Sequence, residues 1–139
     1  MSAPRNWQNT HRMFRAGDIV RFHSTTASKE KFHLCLGEGV EGPKFAFLYL
    51  NSGSGFRGDC SFADGIILGL PTSATGQTIV SFSQIVRIGE VNLKKYGATK
   101  TGQIDASIAA TLADFARGTL VLTRAEREFV TAVMKTLCT

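Results

Sequence analysis

The chain has 139 residues, of which 43% are hydrophobic and 19% charged, and its formal net charge is +5 at neutral pH. This length accommodates one hydrophobic core but not two, and the composition excludes global disorder. No apolar run approaches the roughly 18 residues of a membrane-spanning helix, and the N-terminus lacks the apolar core of a secretory signal.

The three cysteines, Cys35, Cys60 and Cys138, are odd in number and widely spaced. They match neither a disulfide framework nor a paired zinc motif. The three histidines likewise lack the spacing of metal ligands. We therefore expect a cytoplasmic protein with no metal, no cofactor and no membrane association. The basic net charge favours a polyanionic partner.

The first 15 residues read as an arm, and short apolar segments separated by turn signals follow. Such a pattern predicts a mainly β domain built as a small barrel or sandwich. Lys44–Leu50 is apolar at nearly every position, as expected of a central strand buried on both faces. The predicted strands are Gly17–His23, Lys31–Gly37, Lys44–Leu50, Ile66–Leu70 and Thr78–Phe82.

The pattern changes to a helical period after Thr101. Asp105 can cap a first helix whose apolar residues recur from Ile108 to Ala116. Thr123 and Glu126 have the spacing of a capping box, and an apolar stripe from Phe129 to Leu137 follows. We expect this stripe to pack inside the chain, and pairing with the same helix of a second subunit is the alternative.

Lys31 and His33 lie two residues apart in an otherwise apolar strand. The two-residue period of a strand places both side chains on one face, about 6–7 Å apart. A cation beside an imidazole on a rigid strand can act on phosphate groups. The same pair also fits the solvent-facing side of a half-buried sheet, and the sequence leaves both interpretations open.

Residues 53–58 form the pattern G-x-G-x-x-G directly after a predicted strand. In a dinucleotide-binding protein this pattern opens a helix whose N-terminus holds the pyrophosphate. Here a short, turn-rich segment follows instead, so we interpret the glycines as a flexible loop.

The order GDIVRFH, a polar loop, KFHLCLG, a strand ending in LNSGSG, and TIVSFSQIVRI resembles the MazF/PemK/Kid family of toxin proteins from about Ala16 to Phe115. The resemblance implies a small SH3-like barrel with appended helices. It also implies a dimeric, metal-independent endoribonuclease held by an antitoxin. The domains would be an arm over 1–15, a barrel with one helix over 16–117, and a C-terminal helix over 118–139.

Matching the family's motifs to this chain identifies several positions. Lys31 stands where the family has an arginine, and Ser52 lies near its Thr-Ser element. Gln84 matches the family's glutamine, whereas Val86 occupies the position of the following arginine and Arg87 lies one residue beyond it.

Our first hypothesis is therefore a toxin-like RNA-binding protein, which leaves open whether it cleaves RNA. Cleavage without metal needs a proton acceptor, a proton donor and cations near the phosphate. The candidate catalytic residues are Lys31, His33 and Ser52, and the candidate nucleic-acid contacts are Arg21, His23, Arg57, Arg87, Lys94 and Lys95.

The rival hypothesis is a non-catalytic adaptor that uses the same barrel to bind a protein. It is favoured by the arginine lying out of register, and Phe56 and Phe62 would then be contact residues. The partners that remain open are single-stranded RNA, an antitoxin or other protein, and a second copy of the chain.

Overall fold

A six-stranded antiparallel sheet, curled into a half-barrel, forms the body of the molecule. The structure is a computed structural model, and it describes residues 13–25, 28–38, 44–51, 59–72 and 75–138. The spatial order of the strands is β4-β5-β3-β2-β1-β6. This architecture confirms the predicted class, a small, mainly β barrel followed by helices. The elements are β1 (Asp18–Ser24), β2 (Lys29–Glu38), β3 (Lys44–Asn51), β4 (Asp59–Ala63), β5 (Gln77–Gly89), α1 (Glu90–Lys95), β6 (Thr99–Gln103), α2 (Ala106–Gly118) and α3 (Arg124–Leu137).

Both faces of the sheet are buried around β3, because successive side chains of this strand point to opposite sides and nearly all are apolar. We call the side covered by α2 and α3 the helix face; its core includes Ile19, Leu34 and Leu48. The opposite side, which we call the cleft face, carries a second, smaller cluster. That cluster consists of Phe14, Val20, Phe22, Cys35, Phe45, Phe47 and Leu93.

The predicted strand at Ile66–Leu70 is wrong, because this segment forms turns. Gly65 and Gly69 both have φ of +91°, a backbone region that interrupts a strand. A Cβ atom on Gly69 would lie 2.5 Å from the carbonyl oxygen of Thr101, so the turn packs closely on β6. The strand of this region is instead β4, where Cys60 is buried and Phe62 packs partly against the core.

β5 extends well beyond the predicted Thr78–Phe82 and is 13 residues long. Its pairing with β3 shifts register between Leu48 and Leu50, and its first half also pairs with β4. Such an irregularity bends a strand and increases its twist, which lets one long strand follow the curl of the sheet.

β6 and α1 were not predicted from the sequence. β6 is a polar edge strand that pairs with β1. Lys100 on β6 forms an ion pair of 3.2 Å with the buried carboxylate of Asp18, which also accepts a hydrogen bond from the backbone N–H of Arg15. The interaction ties the sheet edge to the start of β1.

The two predicted helix starts are confirmed. The Asp105 carboxylate accepts a hydrogen bond from the N–H of Ile108 at 2.9 Å, which caps α2. At α3, Thr123 and Glu126 form the reciprocal capping box, with bonds of 3.2 and 2.9 Å. Such caps satisfy N–H groups that have no partner inside the helix.

The apolar stripe of α3 packs within the chain. Val130 and Met134 are fully buried in the helix-face core beside Leu112 of α2. Phe129, Val133 and Leu137 pack partly against the same core. The stripe therefore covers the sheet from the helix side, as we expected from packing inside the chain.

Met134→Ala should lower the free energy of unfolding by about 2–5 kcal/mol, because it removes a fully buried side chain and leaves a cavity. Urea denaturation followed by circular dichroism measures this change. Leu120→Ala is the matched control: Leu120 is 88% exposed, so its truncation should change stability by no more than about 0.5 kcal/mol. Equal effects of the two substitutions would contradict the packing described for α3.

Candidate nucleic-acid interface

His33 lies at the centre of the cleft face, on β2 between Val20 of β1 and Tyr49 of β3. Its ring stacks on Phe22 with centroids 3.7 Å apart and an interplanar angle of 6°. The rings of Tyr49 and Phe47 lie 5.1 and 5.8 Å away. The imidazole is therefore enclosed by aromatic rings and has no solvent-exposed surface.

Both ring nitrogens are enclosed and neither makes a well-formed hydrogen bond among the described residues, but the backbone groups of Val20 and Lys31 lie close enough to act on the ring as hydrogen-bond partners. Burial lowers the pKa of His33 to about 4, and backbone groups of Val20 and Lys31 only partly oppose this shift. The positive charge of Lys31 lowers the pKa further. The ring is consequently neutral at pH 7.

A cleft of about 260 Å³ lies beside His33. The sheet contributes Phe22, Ser24 and Tyr49 to its lining, and Ser24 Oγ lies 3.3 Å from Tyr49 Oη, within hydrogen-bond distance. Residues 86–89 of β5 form one wall. The cleft is thus lined by aromatic rings and hydroxyl groups, with the imidazole at its base.

α1 forms the remaining wall, and its position is fixed at both ends. Leu93 anchors the helix in the cleft-face cluster. At the C-terminus, Gly97 adopts φ of +72°, and the N–H groups of Gly97 and Ala98 donate to the carbonyls of Lys94 and Leu93. This is the Schellman arrangement, which needs a residue that tolerates positive φ.

Two polar residues line the cleft from this side: Asn92 in α1 and Tyr96, the residue that ends the helix. They are one helical turn apart. The backbone carbonyl of Tyr96 also accepts a hydrogen bond from the N–H of His23 at 3.3 Å, which joins α1 to β1. The amide of Asn92 and the ring of Tyr96 therefore belong to the same site as Tyr49 and His33.

Lys44 of β3 lines the cleft, and other lysines lie near it. Lys31 Nζ lies 5.9 Å from the centroid of the Tyr49 ring, and burial, followed by the charge of Lys29, lowers the pKa of Lys31. Lys95 follows Asn92 by three residues and so shares its side of α1. Lys94 lies on another side, where it forms an ion pair of 3.6 Å with Glu90.

The structure brings together some of the predicted site residues and separates others. Lys31 and His33 share one face as expected, but His33 is fully buried, so the interpretation of this pair as the solvent-facing side of a half-buried sheet is wrong for His33. His23 lines the cleft, whereas Lys95 is not among its lining residues. Ser52 and Arg57 lie outside the described residues.

Two arginines do not contribute their charges to the cleft. Arg21 alternates with Val20 and Phe22 on β1, so its side chain points away from the cleft face. Arg87 lies in the β5 wall, but it alternates with Val86 and Ile88, which pack against the cleft-face cluster. Strand alternation therefore assigns the Arg87 side chain to the face opposite Val86 and Ile88, although the residue itself lines the cleft.

Sequence reasoning missed Ser24, Tyr49, Asn92 and Tyr96. Tyr49 lies two residues after Phe47 in the predicted strand, so the sequence indicates that both share one face of the sheet. Its position opposite His33, however, depends on the register of β2 and β3. Asn92 belongs to a six-residue helix that is too short for a periodic signal, and Tyr96 is the residue that ends this helix.

The sequence matches no protein-family model and no curated protein sequence. The resemblance to MazF/PemK/Kid proteins therefore stays a prediction, which the curled antiparallel sheet fits without establishing membership. Within the described ranges there is no group of three or more His, Cys, Asp or Glu side chains that could hold a metal ion. In the same part of the chain, no helix combines the length and apolar character needed to cross a membrane.

The burial of His33 should make stability fall as the pH drops from about 6.5 to about 4. An unfolded chain protonates this histidine near pH 6.5, whereas the folded protein resists protonation until about pH 4. Over that window the unfolded state binds more protons, and the total loss amounts to about 3 kcal/mol. Urea denaturation at a series of pH values measures the slope.

Carboxylates also take up protons near the lower end of this pH range. Variants are therefore needed to assign the pH dependence of stability to His33. His33→Leu removes the titrating ring and should flatten the dependence between pH 5 and 6.5. His23→Gln removes an exposed imidazole and controls for the loss of a histidine as such. A His33→Leu protein with the wild-type slope would show that another group is responsible.

Proposed function

We propose that the protein binds single-stranded RNA and that one unpaired base enters the cleft. The observation that carries this proposal is an aromatic-walled cleft on the face of a small barrel, with hydroxyl and amide groups at its walls and lysines beside it. Single-stranded RNA is commonly recognised by stacking of splayed bases on aromatic side chains of a sheet. The resemblance to the MazF/PemK/Kid family supports the same class of ligand.

The size and charge of the cleft agree with this ligand. Clefts that hold drug-sized molecules usually measure about 300–1,000 Å³, and a volume of about 260 Å³ suits a single base better than an extended cofactor. Tyr49 and Tyr96 offer ring faces for stacking. Lys44 lines the cleft, Lys31 lies beside the Tyr49 ring, and Lys95 shares the side of α1 that carries Asn92, so these cations are available to the phosphates on either side of the base. The net charge of +5 also favours a polyanion.

The polar groups around the cleft support a binding site at this position. The buried His33 ring lacks a well-formed hydrogen bond among the described residues, and such a weakly satisfied group costs stability. The Asn92 amide lines the cleft and carries both donors and an acceptor. This amide complements the polar edge of a base.

RNA cleavage by His33 is disfavoured by the same environment. A general base works best when its pKa lies near the operating pH, and the pKa of His33 is lowered to about 4. The aromatic rings around His33 also leave its nitrogens enclosed. We therefore propose binding as the primary function, with the toxin-like role resting on the sequence resemblance.

A protein-binding adaptor is the second candidate, favoured by large apolar side chains on the surface. Leu68 is 72% exposed in the turn that follows β4, and Leu120 is 88% exposed between α2 and α3. Exposed leucines are suited to contacts with an antitoxin, with another protein, or with a second copy of the chain. Phe62 packs partly against the core, and Phe56 lies outside the described residues.

Tyr49→Ala should weaken binding of a short single-stranded RNA by roughly 5- to 150-fold, which corresponds to about 1–3 kcal/mol for one stacked base. Tyr49→Phe keeps the ring and should stay within about threefold of the wild type. Fluorescence anisotropy with a labelled oligonucleotide of mixed sequence measures both, and thermal melting confirms that each variant is folded. If Tyr49→Ala binds as tightly as the wild type while folded, the base does not occupy the cleft.

The lysines of α1 provide a matched pair for the phosphate contacts. Lys95→Gln should reduce the slope of log K against log salt by about 0.7, the value for one phosphate contact on single-stranded RNA. Lys94→Gln makes the same change of charge on the other side of the helix and should leave the slope unaltered. A reversed pattern would place the RNA on a different side of α1.

Incubation of a varied RNA pool with the purified protein at neutral pH, in the presence of a metal chelator, should leave the RNA at full length. The reason is the low basicity of His33. Gel analysis of the RNA provides the measurement, and induced expression in bacteria followed by the same analysis extends it to cells. Cleavage by the wild type that disappears in a folded His33→Leu variant would overturn the proposal of binding without catalysis.

A further inference from the structure

A second groove, of about 450 Å³, runs along α3 near the end of α2. We call it the α3 groove. Among the described residues that line it, Arg117, Arg124, Arg127 and Lys135 are basic and Glu128 is acidic. Arg117 also pairs with Asp114. The groove is separate from the cleft, because α3 packs on the helix face of the sheet. The excess of positive charge points to an anionic ligand.

The helical repeat explains why these side chains gather. Arg124, Glu128, Thr131 and Lys135 recur at intervals of four, three and four residues, so they share one stripe of α3. Val130 and Met134 occupy the buried stripe of the same helix. The groove is therefore a continuous polar surface beside the helix–helix contact.

Arg127 is held in place by the loop between α2 and α3. Its Nη1 donates to the carbonyl oxygens of Thr119 and Leu122 at 3.2 and 3.3 Å. A guanidinium has five N–H donors, so these two bonds position the group and leave other donors for a ligand. Arg124 donates from Nε to Glu128 at 3.2 Å, in a pair whose side chains are 87% and 69% exposed.

Thr131 provides an independent sign of a ligand. It lines the groove, yet the residue is only 8% exposed and its hydroxyl has no hydrogen-bond partner within the described part of the chain. A helical threonine normally bonds to a carbonyl one turn earlier, and it has two accessible rotamers. The hydroxyl is thus an unused donor that a change of rotamer can turn toward the groove.

We propose that the α3 groove binds a phosphate group, held by Arg124, Arg127 and Lys135 with the Thr131 hydroxyl as an additional donor. Guanidinium groups match the geometry of phosphate oxygens with paired N–H donors. An exposed ion pair such as Arg124–Glu128 contributes little stability, so a phosphate dianion can displace the carboxylate. The phosphate can belong to a free anion, a mononucleotide or the backbone of an RNA strand.

The test uses the full chain and inorganic phosphate, titrated at constant ionic strength against chloride and followed through the NMR shifts of α3 amides. We expect saturable shifts confined to the groove. Arg124→Gln should weaken binding about tenfold, the loss expected for one hydrogen bond to a charged group. Arg21→Gln removes an exposed arginine of β1 and should leave the affinity unchanged. Shifts no larger than those with chloride, or wild-type affinity in Arg124→Gln, would overturn the proposal.

Two further variants separate binding from a structural role. Thr131→Val should keep or raise the thermal stability, because it removes a buried hydroxyl without a partner, and should still lower phosphate affinity several-fold. Glu128→Gln should strengthen binding, because it removes the competing carboxylate. Unchanged affinity in both variants would show that the phosphate does not occupy this groove.

Competition then identifies the source of the phosphate. Adenosine monophosphate should displace inorganic phosphate if the groove accepts a phosphate monoester. A short RNA without a terminal phosphate should displace it if the groove contacts an RNA backbone. The site itself does not depend on the RNA-binding cleft, so Tyr49→Ala should leave the phosphate titration unchanged even where it abolishes RNA binding.

Discussion

The central strand β3 carries large apolar side chains on both of its faces, so the sheet has to be covered from two sides. Ala46 and Leu48 belong to the helix-face core, whereas Phe45 and Phe47 belong to the cluster on the other side. An exposed face of this kind would favour association with other chains. The position of every helix follows from this requirement.

The helices that cover the two faces of the sheet differ greatly in length, and the cleft results from that difference. On the helix face, α2 and α3 supply 13 and 14 residues. On the cleft face, α1 supplies six, and Phe14 covers a further part of the cluster. So short a helix cannot extend over the whole face. Where its cover ends, the side chains of Tyr49 and His33 meet the cleft.

His33 is the point at which this face departs from an apolar core. The neighbouring inward positions on β1 and β3 carry Phe22 and Phe47, so an apolar residue at position 33 would continue the cluster. The imidazole keeps the stacking contact with Phe22, but its two nitrogens are buried without a well-formed hydrogen bond among the described residues. A residue that lowers stability in this way is expected at a functional site, where binding or chemistry rather than stability determines which residue is present.

The features that were predictable from the sequence are those determined by neighbours in the chain. The cap at Asp105 and the capping box at Thr123 depend on residues three positions apart, and both formed as expected. β1, β2 and β3 were predicted from short apolar segments bounded by turn signals, within about two residues of their ends. The common face of Lys31 and His33 is a property of the same kind.

The features that were missed depend on distant parts of the chain. Ile66–Leu70 has the apolar content of a strand, but two glycines with positive φ bend it onto β6. β6 is polar, and pairing with β1 rather than its own composition makes it a strand. The burial of His33 likewise requires Phe22 and Tyr49 from two other strands, whose register local alternation does not give.

The distribution of charge separates the two candidate sites physically. Around the cleft, aromatic rings dominate and the lysines stand at its borders, so stacking supplies most of the contact there. In the α3 groove, guanidinium groups dominate and the lining has no aromatic ring. The sheet and the helix-face core lie between them, and sites so separated with no shared partners make additive contributions. Substitutions in the groove and in the cleft should therefore act on any common RNA ligand as independent factors, which multiply in affinity.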